Sequence, residues 1–207
     1  MKKNIINSCL IIAGILFTQS LTAQKNPLNL ELNYNYSLPL SGFKSDLVSN
    51  SSPRGLRGNI MYPFNNKIAA GVQFGFQDYY QKYPRGIYHS GPSQDISAVI
   101  SNSIQTTPII LKAKYYPFTG SYVKPYISAG AGGNLISFKQ YLGEFGSTQT
   151  NFGFLAQAGV GIMVPFKRMS TSGFFVGGTY DYAPYKKNGY KDLNSLNFQA
   201  GISFEIR

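Results

Sequence analysis

The 207-residue chain carries one cysteine, few charged side chains (13%) and a formal net charge of +11. A lone cysteine excludes a disulfide framework. No segment approaches 18 consecutive apolar residues, which excludes a transmembrane helix.

Lys2 and Lys3 begin the chain, Cys9 to Phe17 form an apolar run, and Leu21-Thr22-Ala23 follows with a small residue at its end. That is the layout of a secretory signal peptide. A retained anchor would need a longer apolar core, since a spanning helix takes roughly 20 residues. A lipoprotein would carry its cysteine at the end of the run, whereas Cys9 opens it. Cleavage after Ala23 is therefore expected, giving a signal peptide over 1–23 and one β-barrel domain over 24–207. The mature chain would then hold no thiol nucleophile and no cysteine-ligated metal. Without Lys2 and Lys3 its charge falls from +11 to +9. Such a balance would suit nucleic acid, but export removes that partner, and an anionic lipid surface is the simpler one.

From residue 28 onward the dominant signal is period 2, because successive strand side chains point to opposite faces. Leu28, Leu30, Leu32, Tyr34, Tyr36 and Leu38 fall on one face, and Asn29, Glu31, Asn33, Asn35 and Ser37 on the other. Six further strands are expected at about 55–63, 67–78, 104–116, 123–137, 152–165 and 173–183. In the third, Ile68, Ala70, Val72, Phe74 and Phe76 share a face. In the fourth, Ile109, Leu111, Ala113 and Tyr115 oppose Lys112, Lys114 and Tyr116. In the sixth, Phe152, Phe154, Ala156, Ala158, Val160, Ile162 and Val164 align. The eighth places Leu196, Phe198, Ala200, Ile202, Phe204 and Ile206 opposite Asn197, Gln199, Gly201, Ser203, Glu205 and Arg207.

The connections alternate in length. Asn65-Asn66, Thr119-Gly120-Ser121 and Lys167 to Ser172 are short, while 40–54, 79–103, 138–151 and 184–195 are longer and polar. Short turns on one rim and long loops on the other belong to bacterial outer-membrane barrels. The expected fold is all-β: an eight-stranded antiparallel up-and-down transmembrane β-barrel with both termini at the short-turn rim. A soluble barrel or sandwich would also alternate, but it would bury its apolar face. Here the alternating segments are long, the apolar face is continuous around the chain, and the other face is polar and so rich in Gly and Asn that it would make a poor core. Tyr62, Phe64, Tyr115, Tyr116, Phe118 and Tyr122 lie beside the short turns, and Tyr79, Tyr80, Tyr83, Tyr180, Tyr182 and Tyr185 towards the long loops. Two such clusters read as aromatic belts at the two bilayer interfaces.

Two segments resemble a known family. Thr107-Pro108-Ile109-Ile110-Leu111-Lys112-Ala113-Lys114-Tyr115-Tyr116-Pro117, with Lys124-Pro125-Tyr126-Ile127-Ser128-Ala129-Gly130-Ala131-Gly132-Gly133, is similar to the central hairpin of the outer-membrane protein β-barrel domain family. The resemblance runs over essentially the whole mature chain and implies a small OmpA/OmpX-like, porin-family barrel in the bacterial outer membrane. Gln199, Gly201, Phe204 and Ile206 resemble the C-terminal signal read by the barrel-assembly machinery. An Ile in the last aromatic place and an extra Arg207 depart from that pattern. The family is defined by fold and supplies a location more than an activity.

The inward face holds the candidate site residues: Glu31, Asp181 and Glu205 with Arg57, Lys112 and Lys114. An eight-stranded barrel is just wide enough for side chains to fill it. Charges confined there need partners. Closure of the first strand on the eighth would put Glu31 near Glu205. The expectation is an ionic network that plugs the lumen, and its rival is a narrow polar pore lined by the same residues. Gly130, Gly132, Gly159 and Gly161 on that face would either receive Tyr or Arg side chains or leave a cavity.

An enzyme is the other class to weigh, since small outer-membrane barrels include lipid A-modifying enzymes. His89, Ser90 and Asp95 supply the residue types of a catalytic set. They fall in a Gly/Pro/Ser-rich loop rather than on a strand, where a solvated His is the plainer reading. No catalytic, cofactor or metal residues are therefore assigned, and no cofactor is expected. The long loops carry Lys44, Arg54, Lys82, Arg85, Lys139, Lys186, Lys187 and Lys191 against Asp46, Asp95, Glu144 and Asp192. That excess suits lipopolysaccharide phosphates, adhesion or plain solvation. The functional expectation is a non-enzymatic outer-membrane barrel with a structural or loop-mediated surface role. A small porin or narrow channel is the alternative, and a lipid A-modifying enzyme is third.

Overall fold

Alternation over ten or more residues builds strands with one apolar and one polar face, and closing them into a ring removes every unpaired edge. The computed structural model has this form. It describes residues 27–46, 48–91, 94–118, 120, 122–142, 145–167, 170–187 and 190–206, so the expected signal peptide lies outside the described residues. In chain order the elements are β1 (Leu28–Pro39), α1 (Ser41–Asp46), β2 (Arg54–Pro63), β3 (Ile68–Lys82), β4 (Gly86–Gly91), β5 (Gln94–Ala98), β6 (Ile100–Tyr115), β7 (Lys124–Leu142), β8 (Phe145–Pro165), β9 (Gly173–Tyr182), β10 (Lys186–Lys187), β11 (Tyr190–Lys191) and β12 (Ser195–Ile206).

Among these, eight antiparallel strands close in the order β1-β12-β9-β8-β7-β6-β3-β2. The seam runs unbroken from Leu28 opposite Ile206 to Pro39 opposite Ser195. The even strand number brings both described ends to the rim of the short turns, the periplasmic rim in a bacterial barrel.

The two faces divide as the alternation requires. Asn33, Asn35, Asn59, Gln73 and Asn197 are buried, while Leu32, Leu111 and Phe152 are 51%, 69% and 74% exposed. Polar inside and apolar outside is the inverse of a soluble fold, and hydrocarbon is the solvent that stabilises it. Leu111 sits opposite Val72 on β3 and Ala131 on β7, at mid-height of the apolar band.

The long connections differ from the expected open loops. The 79–103 stretch is largely paired: β3 runs on to Lys82, and β4 and β5 form a separate hairpin. The 138–151 stretch is absorbed by β7 and β8, which stay in register to Leu142 opposite Phe145. Above the bilayer both faces of a strand meet water, so the apolar alternation stops while the backbone ladder continues. Composition marks the end of the membrane there, not the end of the strand.

The expected belts are also corrected at three positions, two towards the long loops and one beside the short turns. Phe64, Tyr115, Phe118, Tyr80, Tyr180 and Tyr182 are exposed, as belt residues should be. Tyr79 and Tyr185 are instead buried inside, and Tyr116 packs inward against Tyr126 and Met163. Parity explains Tyr79 and Tyr116, which follow the inward positions of β3 and β6. Tyr185 is carried inward by the loop after β9.

Candidate functional site

The lumen gathers ionisable side chains, and it is layered along the barrel axis. At the long-loop end lies an apolar cluster. Tyr79, Ile104, Ile110, Ile136 and Leu155 point in from the wall, and Phe43, Val48, Ala183, Tyr185 and Leu193 come down from the loops. All are at most 7% exposed. Phe43 meets Tyr79 edge-on with centroids 4.6 Å apart, and Tyr185 lies against Phe138 at 5.5 Å. Loop ties hold this lid in place. Ser52 exchanges two backbone hydrogen bonds with Ser37, and Gln77 Nε2 donates to Ser52 Oγ at 2.7 Å. Asn194 Oδ1 accepts from the Ala183 amide at 3.0 Å. The sequence reading missed this seal. The available signal was the isolated Phe43, Val48 and Leu193 in otherwise polar loops.

Beneath it, polar side chains from several strands interlock. Asn35 Nδ2 donates to Gln77 Oε1 at 2.7 Å and to Asn197 Oδ1 at 3.1 Å. Arg57 Nη2 pairs with Asp181 Oδ2 at 2.8 Å, with both side chains at most 6% exposed. Gln157 Nε2 takes the other Asp181 oxygen at 2.8 Å. A void of about 20 Å³ borders Arg57 and Asn134, and Arg57 Nη1 and Asn134 Oδ1 are both without a protein partner. That volume and those two groups suit one bridging water.

The next layer is centred on Glu31. Lys114 Nζ donates to its two oxygens at 2.6 and 2.7 Å, and Asn59 Nδ2 adds a third bond at 2.7 Å. The same ammonium stands over the rings of Tyr126 and Phe175, at 4.7 and 4.8 Å. Lys112 Nζ donates to Gln73 Oε1 at 2.8 Å. Tyr126 owes its place to small neighbours. A methyl group on Gly161 would sit 2.5 Å from its ring. Gly161 thus makes room for a Tyr side chain, as one of the two expected readings had it, whereas Gly130 and Gly132 lie nearest the backbone of β6.

The six expected lumen residues thus separate. Glu31 joins Lys114, and Arg57 joins Asp181. Lys112 lies beside them on a neutral amide. Glu205 is not in this network. The register sets Ser203 opposite Glu31 and Glu205 opposite Asn29, nearer the rim. There Thr171 Oγ1 donates to the Glu205 carboxylate at 3.3 Å. Closure thus sets Glu31 and Glu205 on the same inward face as diagonal neighbours across the seam, two residues apart in register rather than directly paired. Gln73, Asn59, Gln157 and Tyr126 complete the layers and were not singled out, because a neutral amide or a phenol carries no charge pattern.

Below Tyr116 and Met163 the lumen widens into a vestibule of about 480 Å³, open at the short-turn rim. Among the described residues the barrel is thus lidded at one end and open at the other. The expected assembly-signal residues all lie on β12. Gln199 points in and bonds Thr179 Oγ1 at 3.1 Å, Gly201 packs on Leu32 and Asn33, and Phe204 and Ile206 face out. His89 is on strand β4, opposite Asp95 in the register, and not in an open loop as expected. Its side chain lies outside the described residues.

A family model described as outer membrane protein beta-barrel domain matches residues 9–205. The chain belongs to this family. It is accordingly a protein of the bacterial outer membrane. No curated protein sequence matches it. Among solved structures, Neisserial surface protein A superposes with a TM-score of 0.56 at 22% identity, covering 86% of this chain and 97% of that one. Ail of Yersinia pestis follows at 0.47 and 17%, with 86% and 97% covered. The N-terminal β-barrel domain of Pseudomonas aeruginosa OprF gives 0.44 and 15%, with 85% and 97% covered. At these identities the likeness is one of fold, and family membership alone leaves the activity to be argued from the site.

Proposed function

We propose that this member of the family is a non-conducting barrel that works through its surface, with the lumen as a structural core. The observation that carries this reading is the lid. Phe43 and Val48 from one loop and Tyr185 and Leu193 from another are buried together across the mouth. The Arg57–Asp181 and Lys114–Glu31 pairs stand across the path below. An ion crossing the barrel would have to part both pairs and the apolar layer. Planar-bilayer recording of the refolded protein is expected to show no steady open level at moderate voltage. A stable, ohmic open level would instead support the narrow-channel alternative and end this reading.

Lipopolysaccharide is the surface partner we propose. Above the apolar band, the outward positions of β2 and β3 change to Arg54, Asp78, Tyr80 and Lys82. Arg54 pairs with Asp78 at 3.2 Å and lies over the Tyr80 ring at 5.6 Å. Ser103 Oγ donates to Asp78 at 2.9 Å, and Lys139 stands opposite Ser103 on the next strand. Cations and hydroxyls on the outer wall meet the level of lipid phosphates. Binding of purified protein to lipopolysaccharide vesicles should weaken with salt and fall about fivefold for each of Arg54, Lys82 and Lys139 replaced by Ala. Salt-indifferent binding, or none, would remove this partner.

A further inference from the structure

Closure removes a strand edge only where both neighbours are present, and the strands of this barrel differ in length. β7 and β8 stay paired up to Leu142 opposite Phe145, but β8 and β9 part beyond Ala156 opposite Tyr182. Continuing that register would set Phe154 against Pro184, which has no N–H to give. The chain turns inward there, and Tyr185 is buried in the lid against Phe138. Above Tyr182, β8 therefore has a neighbouring strand on one side only.

Parity says which groups this leaves open. A methyl group on Gly177 would sit 2.7 Å from the Val160 carbonyl, and one on Gly161 2.6 Å from the Val176 carbonyl, so the even-numbered residues of β8 aim at β9. In an antiparallel ladder the N–H and C=O of one residue point to the same neighbour, and the odd-numbered residues serve the other. The β7–β8 register runs without a shift, so this rule holds along the whole strand. The backbone N–H and C=O of Thr148, Thr150, Phe152 and Phe154 accordingly face away from β7. Among the described residues no backbone bond reaches them on that side.

This edge lacks the usual protections. From Phe145 to Val164 there is no charged residue, no proline and no bulge. Thr148 and Thr150 are exposed, and Phe152 and Phe154 are 74% and 52% exposed. The other flank of the tall sheet differs. β3 outruns β2 beyond Asp78, but there Ser52 Oγ donates to the Asp78 carbonyl and the Ser49 amide donates to Gln81 Oε1 at 2.6 Å. One edge is capped by the protein's own loop, and the other is left open.

A second copy does not fit the open edge. Two barrels inserted the same way are related by an axis along the membrane normal, and strands tilted by about 35–45° would then cross at about 70–90°. A ladder tolerates a twist of about 25° between neighbours. A segment of another protein carries no such constraint. The charge beside the edge is basic: Lys139 stands opposite Thr148 on β7, and the loops of this rim carry more Lys and Arg than Asp and Glu.

We propose that the β8 edge from Thr148 to Phe154 takes an extended segment of another protein, apolar at one end and acidic at the other, as an added antiparallel strand. The segment continues the line of β9 and runs outward from the membrane. About seven residues pair, with apolar side chains beside Phe154 and Phe152 and the acidic one beside Thr148, one strand removed from Lys139. This partner is additional to lipopolysaccharide and does not require a closed lumen.

The test uses the refolded protein in phospholipid nanodiscs free of lipopolysaccharide, with the end-blocked heptapeptide Val-Thr-Val-Thr-Thr-Thr-Glu as probe. Amide hydrogen exchange is read by NMR. In the free protein the Thr148, Thr150, Phe152 and Phe154 amides exchange fast, while the odd-numbered ones between them are protected by β7, and the peptide protects the first set. N-methylation at the third and fifth peptide residues, whose amides face β8, weakens binding about tenfold per lost bond, and N-methylation at the second and fourth leaves it unchanged. Thr150→Pro removes one edge donor without touching the β7 ladder and lowers affinity about tenfold, whereas Thr150→Val does not. Heat-modifiable migration on gels reports folding, and if the proline variant fails to fold the methylated peptides decide the matter alone. Exchanging the terminal Glu for Lys weakens binding about threefold. Edge amides already protected in the free protein, no binding at millimolar peptide, or equal binding of the two methylated forms overturns the proposal. A Lys-ended peptide that binds as well as the Glu-ended one overturns the acidic partner. With no lipopolysaccharide present and no conductance read, its failure is separable from that of the readings above.

Discussion

Replacing Lys114 with Met lowers the stability of the folded barrel by about 3–5 kcal/mol, the range for removing one partner of a buried pair. The change strands the Glu31 carboxylate. That group is 3% exposed and would keep a single side-chain bond, from Asn59 at 2.7 Å. Lys114 also loses its place over Tyr126 and Phe175. Met fills most of the same volume, so the cost is electrostatic rather than a cavity. Adding Glu31→Gln removes the stranded charge, and the double variant should recover most of the loss. Urea titration of the refolded protein in vesicles reads both values. A single-variant loss below about 1 kcal/mol would mean that water or Lys112 reaches the carboxylate, and the pair would then be no part of the structural core. The experiment separates two roles that look alike in a static lumen. Groups that line a pore are solvated already and tolerate loss of a partner, whereas groups that form a dry core do not.

The membrane face and the inward positions of Glu31, Arg57, Lys112, Lys114, Asp181 and Glu205 were legible from alternation, and the strand order from the alternating lengths of the connections; Lys124 and Tyr79 were not read as inward. Parity is a rigid property of a strand, so Lys112 and Lys114 had to share a side opposite Leu111 and Ala113. Pairing was harder. Parity assigns a face but not a depth, and the seam's two-residue offset decides that Glu31 meets Lys114 while Glu205 stays at the rim. The strand extensions around 138–151 were hidden because water on both faces removes the apolar signal. The lid was hidden for a related reason. Phe43 and Tyr185 are single apolar residues in irregular segments, with no period to reveal which way they turn. Tyr126 could have been anticipated from its neighbours, since Gly161 and Gly177 leave a gap beside it on the next two strands. The lid and the vestibule together give the barrel a polarity that symmetric alternation cannot encode.

Leu111→Arg is the sharper test of which solvent the outer face meets. Leu111 is 69% exposed and stands mid-band, between Val72 and Ala131. If that face were in water, an exposed Arg there would be nearly neutral, as surface substitutions usually are. In hydrocarbon the same change costs about 2–4 kcal/mol at the bilayer midplane and falls towards zero near the interfaces. Depth is therefore readable by moving the charge along β6. Arg at Tyr115, beside the short-turn rim, should cost much less than Arg at Leu111. The inward neighbour offers a control, because Lys112 already places an amine one residue away, hydrogen-bonded to Gln73 inside the lumen and without lipid contact. Refolding yields and urea titrations in vesicles of a common phospholipid measure the series. A flat profile from Leu111 to Tyr115 would contradict a bilayer around this face. A peak at Leu111 fixes the midplane on the register and places the Arg54–Asp78 cluster above the apolar band, at the level of the outer headgroups.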